Sequence, residues 1–387
     1  MPFKAFREFA RLETSAGLIL FFTAALALII DNSPLATYYQ NFFNLNLSVG
    51  LPDHTLTKPL ITWINDGLMT IFFLLVGLEV KREILSGELN SIKKCVLPAI
   101  AAVGGMLVPA LIYVVFNWGD ARALQGWAIP VATDIAFSLG ILALLGNARV
   151  PVALKMFLTA LAIFDDIGAI IVIAIFYTSH ISLWLLLIAL ALITLLFILN
   201  YFNVRYVSVY LAIGFLLWLC VLNSGVHATL AGVIIALAIP LGDKQNSPLL
   251  MLEKDLHPWV AFGVLPIFAF ANAGVSLLGL SWQDIFSPIT LGIAAGLFFG
   301  KQLGIFGSSF LAIRSGVTQR PRDTEVKQVY GVSLIAGVGF TMSLFIGSLA
   351  FGNAGHFDAM VRLGVIAGSF FSGIVGYFLL RYYSPQT

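Results

Sequence analysis

The chain has 387 residues, of which 59% are apolar and only 10% charged. Soluble domains carry about 25% charged residues, so this chain has too little polar material to coat a water-facing surface. The formal net charge of +2 gives no sign of a nucleic-acid partner, and the two cysteines, Cys95 and Cys220, lie in separate apolar segments and offer neither a disulfide framework nor a metal spacing.

In chain order, Lys4, Arg7 and Arg11 precede a first apolar run. Without a small-residue cleavage site after it, that run reads as a retained helix and not a signal peptide. A helix needs about 20 apolar residues to cross the hydrocarbon core. Twelve segments qualify, near 14–31, 59–80, 96–116, 127–145, 151–177, 182–199, 204–221, 223–240, 259–279, 288–313, 327–351 and 359–380, numbered here as spans one to twelve. The stretch 44–58 alternates Leu45, Leu47, Val49 and Leu51 before a turn at Pro52-Asp53. It reads as a small amphipathic hairpin outside the bilayer, with an irregular loop as the alternative. The expected fold is an all-α polytopic membrane protein, one transmembrane domain over 1–387.

Counting lysines and arginines by side places 17 with the two termini and three, Lys58, Arg122 and Arg362, opposite; Lys301 lies inside a span, which accounts for all 21. The positive-inside rule then puts both termini in the cytoplasm and the 44–58 hairpin outside.

Charge inside the bilayer costs at least about 2.5–3.5 kcal/mol per residue, so a buried ionisable group is a functional hypothesis by default. Four stand out: Asp134 in span four, the adjacent Asp165 and Asp166 in span five, and Lys301 in span ten. At 1.5 Å per residue, Asp134 and Asp165 each fall about 9 Å from the outer edge and Lys301 about 18 Å, so all four occupy the central membrane. Structural salt bridges are the bland reading. One lysine can neutralise one aspartate in that way but not three, which leaves carboxylates that bind protons or a cation. Adjacent residues differ by about 100° around a helix, so one of the pair can face the lysine while the other faces a cavity shared with Asp134.

Span four carries Pro130 before Thr133-Asp134, and span eleven carries Gly337, Gly339 and Thr341 within AGVGFTMS. Interrupted apolar spans in corresponding positions of two halves point to a transporter's binding site. Spans three to five begin inside and spans ten to twelve outside, so the triplets are related by inverted topology. Gly292, Gly296, Gly300 and Gly304 recur every four residues in span ten, a stripe best read as close helix packing. Gly296-x-x-x-Gly300-Lys301 lacks the spacing and the following Ser/Thr of a P-loop, so transport is expected to run on gradients, without a cofactor.

Among the remaining polar residues, Asp66 is either a helper in an outer funnel or a packing residue. Glu79, Arg82 and Glu83, with Glu253, Lys254, Asp255 and His257, form either a charged cluster at the inner mouth or a solvated rim. His227 is more readily a satisfied core histidine than a ligand.

The segments WINDGLMTIFFLLVGLEVKRE, GWAIPVATDIAF, LAIFDDIGAI, SGVHATLAG, LHPWVAFGVLPIFAFANAGV and GVGFTMSLFI closely resemble the bacterial NhaA Na⁺/H⁺ antiporter family, over about residues 14–380. NhaA antiporters are themselves a type example of inverted repeats, so the repeat argument is not independent of this resemblance. The resemblance implies a multi-pass antiporter of the bacterial inner membrane, not an enzyme, with spans four and eleven discontinuous and crossed. It makes Asp165 and Asp166 the carriers of transported Na⁺ (or Li⁺) and protons, held transiently with help from Thr133, beside the cavity that the helix geometry shares with Asp134. By the same resemblance Asp134 and Lys301 balance the crossing helix ends, with Lys301 also a partner of Asp165. It further assigns pH regulation to the region of Glu79, Glu83 and Glu253, and a homodimer contact to the hairpin near 44–58. Two departures stand out: Gln302 where proline is expected after the lysine, and Lys254 where some members carry histidine.

The reading is therefore electrogenic, pH-regulated exchange of cytoplasmic Na⁺ for external protons, in which both ions compete for buried aspartates under alternating access. The alternatives are a Na⁺-driven symporter of an organic solute and an intramembrane aspartyl protease. The second needs two carboxylates sharing a proton, and Lys301 beside them argues against it.

Overall fold

A computed structural model of the chain describes residues 13–51, 54–146, 149–178, 182–242, 246–277, 280–352 and 356–383. Lys4, Arg7, Arg11, Lys244 and the Pro52-Asp53 turn lie outside the described residues. The fold is an all-α polytopic membrane protein. Eight of its described helices are long and apolar enough to cross a bilayer, and up to ten when each of two bent helix pairs counts as one span. The twelve apolar segments of the sequence are all helical, but not all are full-length spans. Span eight forms only Thr229–Ala238, ten residues, which at 1.5 Å each reaches about half the hydrocarbon thickness. The helix that leads into span nine starts ahead of the apolar run, at Pro248, and the span ends at Asn272 in an extended stretch.

Contacts divide the chain into two units, one of 1–39, 91–169 and 272–387 and one of 40–90 and 170–271. The second holds span two, spans six to nine and the hairpin. There strand β1 (Asn46–Leu51) pairs antiparallel with β2 (His54–Pro59), Asn46 opposite Pro59 and Leu51 opposite His54. Trp63 Nε1 donates to the Leu47 carbonyl at 3.2 Å and ties the hairpin to the start of span two. Spans two and eight pack through small residues, since a Cβ on Gly232 would overlap the Thr70 carbonyl and one on Gly77 would press on Ala236. Without a hydrophobic force between helices in lipid, such close approach is what holds them together. Lys81 Nζ donates to the carbonyls of Leu237 (2.7 Å) and Ile239 (2.5 Å), meeting the orphan acceptors where the short span eight ends. Span six presents Leu183, Trp184 and Leu187 outward, more than half exposed, as a lipid-facing helix should.

The first unit holds spans one, three, ten and twelve, most of span five, and the two broken helices. Span four is a tight 3₁₀ segment, Ala123–Val131, then three extended residues, then the α-helix Ile135–Leu145. Pro130 lies within the 3₁₀ turns, so the break falls just after it, at 132–134. Span eleven is Val326–Ile335 followed by Phe340–Phe351, bent by 45°. The glycine stripe of span ten is packing: Gly296 meets Pro130, Gly300 meets Pro109, and a Cβ on Gly304 would overlap the Gly104 carbonyl oxygen.

Candidate ion-binding site

The two breaks meet inside the first unit. The four N–H groups that open a helix and the four C=O groups that close it have no intrahelical partners, and no water reaches them in the membrane interior. Each broken span answers the other's orphans. Asp134 N-caps Ile135–Leu145, accepting from Phe137 N at 3.0 Å, while its other carboxylate oxygen accepts from Thr341 N at 3.0 Å and from the Thr341 hydroxyl. One carboxylate thus faces the N-termini of the second half-helix of each broken span, where a negative charge is favoured by the helix dipoles. Ser138 Oγ donates to the Ile335 carbonyl (3.1 Å) and Ser343 Oγ to the Ile129 carbonyl (2.7 Å), a reciprocal pair. Asp134 N donates to the Val338 carbonyl at 2.7 Å. Gly337 and Gly339 serve close approach and not a left-handed turn: a Cβ on Gly337 would overlap the Leu297 carbonyl, and one on Gly339 the Ser343 hydroxyl.

Beside this crossing, Lys301 Nζ lies 2.7 Å from Asp165 Oδ2 and 3.0 Å from Thr133 Oγ1. The Thr133 hydroxyl has Asp165 Oδ2 at 2.7 Å and the Ala336 carbonyl at 2.8 Å, and its single proton serves one of them at a time. Asp134, Asp165, Asp166, Thr133 and Lys301 are all buried. Lys301 sits between two π-helical turns, Gly296–Gly300 and Gln302–Phe306. Such turns insert a residue into the helix and re-aim the side chains around them, and they recur at functional sites. Gln302 accepts a hydrogen bond from the Tyr330 hydroxyl at 2.8 Å. The second oxygen of Asp165, Oδ1, is buried and has no hydrogen-bond partner in the structure. A carboxylate oxygen with no partner, beside a hydroxyl and backbone carbonyls, is a hard donor set of the type that suits an alkali cation.

The other residues singled out in the sequence lie in the second unit. Lys58 pairs with Asp66 at 3.2 Å, and His227 Nε2 contacts the Tyr177 carbonyl at 2.6 Å, a satisfied histidine. Arg82 pairs with Glu83 (2.8 Å) and Glu253 (2.9 Å). Glu79 lies one turn back on the same helix, and His257 is exposed one turn beyond Glu253. Sequence reasoning missed Ser138 and Ser343. Each follows its break by about one turn, but its partner is a carbonyl about 200 residues away, which no local pattern marks.

Ionisable groups gathered where two broken helices cross define a secondary active transporter. A family model described as Na⁺/H⁺ antiporter 1 matches residues 7–380. A Rhodospirillum rubrum protein named Na⁺/H⁺ antiporter NhaA is 57% identical over 98% of both chains. Proteins of that name from Aliivibrio salmonicida (53% identical, 98% of both chains) and Yersinia enterocolitica (54%, 98% of this chain and 97% of the other) are similar over the same extent. The chain belongs to the Na⁺/H⁺ antiporter 1 family, a family of transporters. Its relatives' names give the solute-symport reading no support.

Proposed function

We propose that this chain carries out the Na⁺/H⁺ exchange of its family by making the two ions compete for Asp165 and Asp166. The observation that carries this is the divided carboxylate of Asp165: one oxygen is held by Lys301 and Thr133, the other is buried and open. Burial favours the protonated carboxyl, whereas a nearby cation favours the anion, so Na⁺ and H⁺ exclude each other at one site. Thr133 and exposed carbonyls at the breaks complete the ligand set, and Li⁺, with the same charge and preference for oxygen, is a second cargo. Asp134 holds the crossing together, and Lys301 sets the charge balance.

External protons drive cytoplasmic Na⁺ out across the inner membrane, with both termini in the cytoplasm; the 17-to-3 charge asymmetry supports that orientation. The Glu79, Arg82, Glu83 and Glu253 group at the inner end of span two adjusts activity to pH. The β1–β2 hairpin, whose residues 44–48 are exposed, serves a homodimer contact.

The test is proton flux in inside-out vesicles. NaCl or LiCl should collapse a preformed ΔpH with the wild type and leave it intact with Asp166→Asn. A full response from the variant would take Asp166 out of the site and leave Asp165 as its one carboxylate in span five. Silence of the wild type at every pH from about 6 to 9, the range over which perturbed carboxyls and histidines titrate, would exclude exchange.

A further inference from the structure

At the inner end of spans ten and eleven lies a cavity of about 290 Å³, lined by none of the ion-binding residues and larger than a packing void. Phe310, Ile313 and Val329 wall it, and Arg314 and Arg320, both exposed, line it as well. Neither arginine forms an ion pair among the described residues. Arg314 ends its helix, where a cation is favoured in any case; Arg320 stands in the following loop and has no such reason. The segment 314–327 carries Arg314, Arg320, Arg322 and Lys327 against Asp323 and Glu325.

A second observation points into the same cavity. Ser309 lines it and is fully buried, yet its hydroxyl has no hydrogen-bond partner in the structure. Helical serines in an apolar setting ordinarily bond back to the preceding turn, as Ser333 does to the Val329 carbonyl at 2.8 Å. A buried orphan hydroxyl is costly unless a polar atom of another molecule reaches it. Ser309 and Arg314 are five residues apart on one helix, a rise of about 7.5 Å.

We propose that this cavity binds one anionic phospholipid of the cytoplasmic leaflet. Arg314 and Arg320 take the phosphate, the Ser309 hydroxyl donates to an ester carbonyl deeper in, and an acyl chain lies along Phe310, Ile313 and Val329. Charge stands outermost, on Arg314 and Arg320, and the apolar wall runs inward from Ile313 past Phe310 and the Ser309 hydroxyl to Phe306, so that head group and chain of such a lipid each meet their own kind of surface. A free phosphate would leave the apolar wall and the buried hydroxyl without a role.

The test uses the full chain, purified and stripped of lipid, with native mass spectrometry to count retained phosphatidylglycerol and phosphatidylcholine of identical chains. The wild type should retain one phosphatidylglycerol in preference to phosphatidylcholine. Arg314→Gln with Arg320→Gln should lose that preference by about fivefold per arginine removed, the scale of one basic residue at an anionic surface. Arg122→Gln, an exposed arginine ahead of span four, should keep it. Equal retention by the double variant, or equal loss in Arg122→Gln, would overturn the proposal. So would inorganic phosphate raising the wild-type melting temperature as much as phosphatidylglycerol does, which would make this a small-anion site.

Discussion

Lys301 and Asp165 are both fully buried and 2.7 Å apart, so each is tolerable in the membrane interior because of the other. Deleting one partner of such a pair costs about 3–5 kcal/mol, whereas replacing both with neutral groups of similar size is close to neutral. Lys301→Met should therefore lower the melting temperature in detergent sharply, and adding Asp165→Asn should recover most of the loss. Additive losses would mean that the two charges are held independently. Outside the spans, burial pushes the Glu253 carboxyl above its usual range; Arg82 pulls it back and Glu83 pushes it further up. A carboxyl raised on folding holds its proton more tightly in the native state than in the unfolded chain. Its contribution to stability is full below the ordinary glutamate value and is lost as pH rises through the raised one. The melting temperature of the wild type relative to Glu253→Gln should thus fall as pH climbs from about 4 through neutrality, and a constant difference would contradict the assignment.

Helix contacts in this protein depend on missing side chains as much as on present ones. Gly304 and Gly104 each occupy the space that the other's Cβ would need, whereas a Cβ on Gly307, one turn on, meets nothing within 4 Å. Alanine is favoured over glycine in a helix by about 0.5–1 kcal/mol. Gly307→Ala should therefore hold or raise thermal stability, and Gly304→Ala should lower it by forcing spans three and ten apart. Equal effects would show that the stripe is not a packing surface. The stripe was legible in the sequence because a four-residue period needs no partner to be seen. The buried charges were legible too, since a carboxylate within an apolar run has few cheap explanations. Gly337 and Gly339 marked one break well, while Pro130 marked the other only to within a few residues, because proline also fits the tight turns before it. The reciprocal bonds of Ser138 and Ser343 were not legible. Each is made to a carbonyl about 200 residues away, and nothing local distinguishes them from serines that bond to their own helix. The π-turns flanking Lys301 leave no periodic trace over so few residues. The short span eight looked longer because its first residues, Asn223 and Ser224, belong to the preceding helix, and the turn that follows at 225–228 separates the two.

For the molecule as a whole, the balance of charge decides what drives it. Two protons exchanged for one Na⁺ carry one net charge per cycle, which the membrane potential drives at about 2.3 kcal/mol per 100 mV. In proteoliposomes, a potassium diffusion potential should change the initial rate of Na⁺-driven proton movement, and a rate indifferent to that potential would require one-for-one exchange. The crossing at the centre has a further consequence, for how the chain is made. Asp134 and Thr341 are separated by 207 residues, and ribosomes add about 5–20 residues per second, so roughly 10–40 s pass between the arrival of one and of the other. Through that interval span four holds a carboxylate and a stretch of open backbone whose partner has not yet been synthesised. The insertion machinery must shelter the first broken helix from lipid until the second is delivered, and a pause during translation between them would lengthen that exposure directly.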